Sequence, residues 1–234
     1  MNQEQSKISY HRLRYATLAV IIATIYLFLL RTYGTVFVDM FDSPITIHIT
    51  LLLAFCAGAT FVVFFYLFYK DYVKRSQHLL RAAALGAFVG AGLILLLHLG
   101  NLCMVFRVYD IPVLMEMYYI KILFPCVGTV STVLFFIAFR KAVVQDKQKT
   151  LIKPTLSGLI GACIQMSIVS LMTVNYLMAD QGFMLPDTHR VMEIIIVPVL
   201  ILQFMALLYF YSSFYKELKR GKPAVTPFSP IIEE

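Results

Sequence analysis

The chain has 234 residues, of which 60% are hydrophobic, and its mean hydropathy is +0.79. A soluble domain of this length needs far less apolar sequence for its core, so the composition excludes a soluble globular protein. The net charge of +7 comes from basic residues clustered at the ends of apolar runs, with no Arg- and aromatic-rich patch, so we predict no nucleic-acid partner.

Six apolar runs follow one another along the chain, several of them 18 or more residues long. A polar segment, residues 1–14, precedes them, and a proline-containing tail, residues 216–234, follows and is predicted to be disordered. The sequence therefore predicts an all-α integral membrane protein, built as a six-helix transmembrane bundle over residues 15–215. The predicted spans are residues 15–30, 45–69, 82–106, 112–139, 154–179 and 188–215.

The distribution of Lys and Arg predicts the orientation. With six spans, both termini lie on the same side of the bilayer as the connections 70–81 and 140–153. These four segments hold 16 of the 20 basic residues, whereas the opposite side holds Arg31, Arg107 and Arg190. The positive-inside rule then predicts a multi-pass protein of the inner or plasma membrane with both termini cytoplasmic. Its partners are the lipid bilayer and, by prediction, other membrane subunits or a cytoplasmic protein at the two basic connections.

Ionisable and amide side chains interrupt the apolar runs, mainly in the outer half of each span. An ionisable group at that depth costs a few kcal/mol or more, so we expect it to face protein or water and to serve a function. His98 and Lys121 come out roughly 13 Å below the outer surface on paired helices. The residues predicted to bind a ligand or ion are Lys121, Glu193, His98, Glu116, Asn101, Asn175 and Arg190.

Lys121 needs a counter-ion, and we expect Glu193 to supply it. Glu116 is five residues from Lys121 on the same helix, which is a poor angular match. The pairing with Glu193 requires spans four and six to touch. Pro125 and Pro198 each leave a main-chain carbonyl on these spans without its usual donor, and interrupted helices at this depth form the binding sites of many transporters.

The inner halves of the spans offer only hydroxyl and amide side chains, among them Gln165 and Gln203, and we assign them no function. Small residues mark two places where helices approach closely. Gly86 and Gly90 belong to a small-residue strip in span three, and residues 157–162 form a second strip in span five.

The leading functional hypothesis is a transporter or membrane-complex subunit whose outward-facing polar pocket takes a small ion or ligand, with no cofactor. A redox subunit that binds b-type haem or a quinone is an alternative, for which His98 and His48 are the available pair and His189 lies at the outer mouth. A membrane sensor or accessory subunit is a third hypothesis. We predict no catalytic residue, because no H-E-x-x-H, paired-Asp or nucleotide-loop motif is present.

Overall fold

The computed structural model describes residues 3–36, 44–74, 76–105, 111–180 and 188–220, and the side chains of 11–30, 32, 48–74, 76–103, 120–174, 177 and 196–220. Every element within these ranges is helical, and six helices are long and apolar enough to cross a membrane, which confirms the predicted all-α fold and its six helices of membrane-spanning length. A π-helical turn, Phe68–Tyr72, follows the second helix directly. The helices are α1 Gln3–Val36, α2 Pro44–Leu67, α3 His78–Val105, α4 Ile111–Gln145, α5 Lys149–Asp180 and α6 Thr188–Lys219.

The helices extend beyond the predicted spans. The first helix begins at Gln3 and takes in most of the polar N-terminal segment, while α4 and α6 run on to Gln145 and Lys219. Hydropathy marks where a chain leaves the hydrocarbon, whereas a helix continues as long as its residues favour helical geometry, as Lys, Arg, Glu and Gln do. Residues 216–219 of the predicted tail are therefore helical, and residues 221–234 lie outside the described part of the chain.

The six helices form a closed ring. Each helix packs against the next one in the sequence, and α1 packs against α6. Leu13 near the start of α1 and Leu218 near the end of α6 belong to the same buried cluster as Phe68 and Val143. We call this end of the bundle, which holds both chain ends and the connections 68–77 and 146–148, the termini end, and the opposite end the loop end. The cytoplasmic placement of the termini end stays a prediction.

Phenylalanine rings fill the axis of the bundle at the termini end. They come from α2 with its π-helical turn, from α4 and from α6, so they meet across the ring of helices. Their geometry is mostly edge-to-face, as between Phe68 and Phe139 with centroids 5.0 Å apart and Phe136 and Phe210 at 4.8 Å. We call this cluster the aromatic plug; its members, all fully buried, are Phe64, Phe68, Phe135, Phe136, Phe139, Phe210 and Phe214.

Glycine permits a close helix crossing between α3 and α4. A Cβ atom on Gly128 would lie 2.5 Å from Cδ1 of Ile94 and 3.1 Å from the carbonyl oxygen of Gly90, so no larger residue fits without a shift. Gly86, by contrast, has open space at its Cβ position. The small-residue strip of span three is thus confirmed at Gly90 and wrong at Gly86, because no atom of another described helix lies within 4 Å of the Cβ position of Gly86.

The strip of span five is confirmed. A Cβ atom on Gly161 would lie 2.8 Å from Cγ of Leu207, and Gly158 lies directly against the ring of Phe136. Ser157 adds a hydrogen bond from its hydroxyl to the carbonyl oxygen of Ala206, 2.9 Å away. These contacts hold α5 against its two neighbours in the ring, α4 and α6.

Candidate functional site

A cavity of about 260 Å³ lies on the axis of the bundle, beside the aromatic plug on its loop-end side. Phe65 and Tyr211 form its floor, and both contact the plug: the ring of Phe65 is 5.1 Å from that of Phe135, and Tyr211 is 5.6 Å from Phe64. From there the cavity extends toward the loop end as far as Leu30. All six helices contribute to its lining. The polar members of the lining are Thr24, His98, Thr132, Gln165, Gln203 and Tyr211.

Small residues on α2 and α3 provide the space for this cavity. The lining includes Ala54 and Gly58 on α2 and Ala91 on α3, which have short side chains or none. A Cβ atom on Gly58 would lie 3.4 Å from Cδ2 of His98, so the absence of a side chain there leaves room for the imidazole ring. The short side chains at these positions therefore provide part of the space in the cavity.

Gln203 and Gln165 form a hydrogen-bonded amide pair in the cavity wall. Nε2 of Gln203 on α6 donates to Oε1 of Gln165 on α5 over 3.0 Å. Gln203 is 7% exposed, and its Oε1 atom is buried without a hydrogen-bond partner in the described part of the chain. A buried acceptor left unsatisfied costs about 1–3 kcal/mol. Gln203 therefore contributes to the cavity wall while its Oε1 atom is buried and lacks a partner in the described part of the chain.

Two threonines of the lining present acceptors as well. The hydroxyl of Thr24 donates to the carbonyl oxygen of Val20 over 2.7 Å, and that of Thr132 donates to the carbonyl oxygen of Gly128 over 2.8 Å. Each hydroxyl can donate a single hydrogen bond, and in both threonines that bond is donated within the residue's own helix. What remains on these two side chains is oxygen lone pairs, so the threonines contribute acceptor capacity to the cavity wall.

Among the predicted site residues with described side chains, His98 lines the cavity and the others do not. Asn101, nearly one turn further along α3, is half-buried, and His48 is half-buried near the start of α2. Lys121 is exposed on α4. The structure thus places His98 and Lys121 on neighbouring helices, as predicted, but does not bring both to the cavity.

Five predicted residues have side chains outside the described residues. The backbone of α4, α5 and α6 carries them, and nothing here places their side chains. They are Glu116, Asn175, His189, Arg190 and Glu193.

The predicted pairing of Lys121 with Glu193 stays a prediction. It requires α4 and α6 to touch, and in the described part of the chain these helices meet across the axis at the plug, where Phe136 contacts Phe210.

The haem and quinone hypotheses also stay predictions. His48 and His98 lie on helices that are neighbours in the ring, α2 and α3. The described residues include no group of three or more His, Cys, Asp and Glu side chains that could hold a metal ion, but a b-type haem needs only two histidines.

The structure places Gln165 and Gln203 in the cavity wall, although their sequence positions led us to assign them no function. Their positions along the chain do indicate that they lie at the same depth. Gln165 lies 16 residues after Lys149, the first residue of α5, and Gln203 lies 16 residues before Lys219, the last residue of α6. Two antiparallel neighbours that start and end at the same level must then carry their glutamines at the same depth.

Comparison of the chain with protein-family models, curated proteins and solved structures gives no match to any of them. A functional hypothesis for this chain therefore rests on the cavity and not on similarity to a known protein.

Proposed function

We propose that this multi-pass membrane protein binds a small, mainly apolar molecule in its central cavity, inside the bilayer. The observation that carries the proposal is one cavity lined by all six helices, largely apolar, with a few polar groups converging on it. This is the usual composition of a small-molecule site, in which apolar walls supply affinity and a few polar groups fix orientation.

The volume of the cavity limits the size of the ligand. An apolar cavity of about 150 Å³ holds benzene, and pockets for drug-sized molecules begin at about 300 Å³. The cavity here, about 260 Å³, lies between these values. It suits a molecule of one or two rings, or a branched chain of similar bulk.

The described lining contains no Asp, Glu, Lys or Arg, which favours a neutral ligand over an ion. An ion would lose its hydration in the bundle without gaining a countercharge there. We assign the predicted charges Lys121, Glu116 and Glu193 to the approach from the loop end.

If Lys121 and Glu193 pair, Lys121→Glu and Glu193→Lys should each impair binding and should partly recover when combined; no recovery would contradict the pairing.

Ligand binding is tested with 2-naphthol and the full chain in lipid nanodiscs. The chain has 14 tyrosines and no tryptophan, so energy transfer from tyrosine to the naphthyl ring reports binding without a tryptophan background. Ala91→Phe fills the cavity, whereas Ala82→Phe makes the same change at an exposed position of the same helix. We expect saturable binding to wild type and Ala82→Phe, and affinity lower by about tenfold or more in Ala91→Phe. Equal signals from all three proteins would refute the proposal.

Transport is a second candidate function, and the asymmetry of the axis favours it over sensing. The plug fills the axis at the termini end, while the cavity extends toward the loop end, as expected for one state of an alternating-access transporter. A Thr132→Cys variant, with the four native cysteines replaced by serine, tests this with a membrane-impermeant thiol reagent. Labelling from both sides of the membrane, in proportions that shift with ligand, would support transport. Labelling from one side under all conditions would support a sensor.

A further inference from the structure

The phenylalanine and tyrosine rings in the cavity lining all lie on one side of the cavity. Phe and Tyr make up 14% of the chain but more than a quarter of the described lining. They come from α1, α2 and α6, which are consecutive around the bundle because α1 packs against both α2 and α6. We call this side of the cavity the aromatic wall; its rings are Phe28, Phe61, Phe65, Phe204 and Tyr211.

The opposite side of the cavity has a different composition. It is formed by α3, α4 and α5, and none of the lining residues that the structure describes on these helices is Phe or Tyr. They are Ala91, Ile94, His98, Thr132 and Gln165. A ligand in the cavity therefore meets phenylalanine and tyrosine rings on one side only.

Three rings of the aromatic wall retain surface that a ligand can contact. Phe28, Phe61 and Phe204 are half-buried, whereas Phe65 and Tyr211 are each 2% exposed and pack against the plug. Phe28 and Phe204 stack where α1 meets α6, with centroids 4.2 Å apart and planes 17° from parallel. The ring of Phe61 lies at 70° to that of Tyr211, 6.3 Å away. Three different helices thus each bring one partly exposed ring to this side of the cavity.

An aromatic ligand gains more from such rings than a saturated one does. The face of an aromatic ring is negative and its edge is positive, so two aromatic rings attract each other in offset-stacked and edge-to-face arrangements, beyond the effect of burying apolar area. Building on the proposed function, we infer that the ligand is a neutral aromatic compound whose ring lies against Phe28, Phe61 and Phe204. The cavity volume alone suits a branched aliphatic chain equally well, and the composition of the aromatic wall decides between the two.

Two alcohols with the same carbon skeleton test this inference. 2-Naphthol is aromatic and decahydro-2-naphthol is saturated, and each carries one hydroxyl group. The full chain in nanodiscs is titrated with 2-naphthol, and the bound 2-naphthol is then displaced with decahydro-2-naphthol, so that energy transfer from tyrosine reports both affinities. Each affinity is referred to the partition of the same compound into protein-free nanodiscs. We expect wild type to prefer 2-naphthol by about fivefold, the effect of one aromatic pair.

Two variants show whether the preference arises at the aromatic wall. Phe61→Leu and Phe204→Leu each remove one partly exposed ring and keep an apolar side chain, so each should lower the preference to about twofold. If one of them does not fold, the other, on a different helix, carries the test. Phe88→Leu makes the same change at a half-buried position of α3 outside the lining, and it should keep the full preference.

A third control separates aromaticity from bulk, because the saturated compound carries more hydrogen atoms. Leu27→Val enlarges the cavity by about as much as a change of Phe to Leu and leaves every ring in place. It should keep the full preference. A preference that is lost in Leu27→Val would show that crowding sets it, and the aromatic inference would be overturned.

The remaining outcomes separate this inference from the proposed function. Equal affinities of wild type for the two compounds would overturn the aromatic inference and leave the binding cavity standing. A full preference in both Phe61→Leu and Phe204→Leu would overturn the assignment to the aromatic wall. If 2-naphthol does not saturate wild type, the proposed function fails, and this inference fails with it.

Discussion

The two halves of the bundle axis differ in how they are filled: aromatic rings occupy the termini end, and a cavity lies on the loop-end side. At the termini end seven fully buried phenylalanines interlock, with the ring of Tyr72 packed against Phe68 and Phe214. On the loop-end side of this plug, the six helices line a cavity of about 260 Å³, in which short residues on α2 and α3 and two glutamine amides lie among larger apolar side chains. Lipid chains are as apolar as leucine, so helices in a bilayer are held together mainly by packing. Concentrating that packing in one half leaves the other half free to hold a ligand.

The plug also shows how alternate helices can share an axis. Its large rings come from α2, α4 and α6, while α3 and α5 contribute small residues such as Ala84, Ala87 and Ala162 at the same buried core. Large side chains opposite small ones interdigitate without voids, which is how cores reach native packing density. Around the cavity, by contrast, the adjacent helices α2 and α3 both carry small residues, Ala54, Gly58 and Ala91, among their larger ones.

The largest effect should come from removing a ring at the centre of the plug. Phe68 contacts Phe135, Phe139 and Phe214, with centroids between 4.9 and 5.8 Å, and is fully buried. We expect Phe68→Ala to lower the free energy of unfolding by about 3 kcal/mol, because the cavity it leaves cannot collapse. Unfolding by titration with denaturing detergent measures this.

Phe204 in the cavity wall is the matched control for Phe68. It is half-buried and stacks on Phe28 with centroids 4.2 Å apart, beside space that is already empty. Phe204→Ala should therefore cost about 1 kcal/mol, the value of one aromatic pair. A loss as large as that of Phe68→Ala would mean that the cavity half contributes as much packing as the plug, and the contrast between the two halves would fail.

The next effect concerns the crossing of α3 and α4. Gly128→Ala should destabilise the bundle by about 2 kcal/mol, because the added methyl group meets Ile94 and the backbone of Gly90. Gly86→Ala is the control on α3. Its added methyl group meets open space, so helix propensity should make it neutral or stabilising by up to about 1 kcal/mol. Equal losses in the two variants would show that α3 and α4 do not cross at Gly128.

The number and type of helices could be predicted from the sequence, but not the direction in which their residues point. His98 and Lys121 were predicted at equal depth, since the rise per residue fixes position along a helix. Rotation about the helix axis decides that His98 lines the cavity while Lys121 is exposed. In a soluble helix an apolar stripe reveals that rotation, but these helices are apolar all round, so it emerges only from packing.

The amide pair was missed for a related reason. A charged residue in a membrane span draws attention because its burial is costly, whereas a glutamine costs less and finds partners in many environments. The predicted spans 154–179 and 188–215 already put Gln165 and Gln203 within one residue of the same depth, 11 residues after residue 154 and 12 residues before residue 215. Depth alone did not show that the two side chains face each other, which depends on the rotation of α5 and α6.

The smallest effect on stability is expected at this pair, and it sharpens the contrast between the two halves most. Interhelical hydrogen bonds in bilayers contribute about 0.6 kcal/mol, so Gln165→Met should cost about that much. Gln203→Met loses the same bond but also removes the buried Oε1 atom that lacks a partner in the described part of the chain, so it should cost less. The double variant should be as stable as wild type or more stable, because it leaves neither amide behind. Detergent unfolding of all four proteins in a double-mutant cycle measures the coupling. A double variant that loses more than the two single variants together would make the pair a structural clamp like the plug. A stable double variant would show that the fold does not depend on the two glutamines.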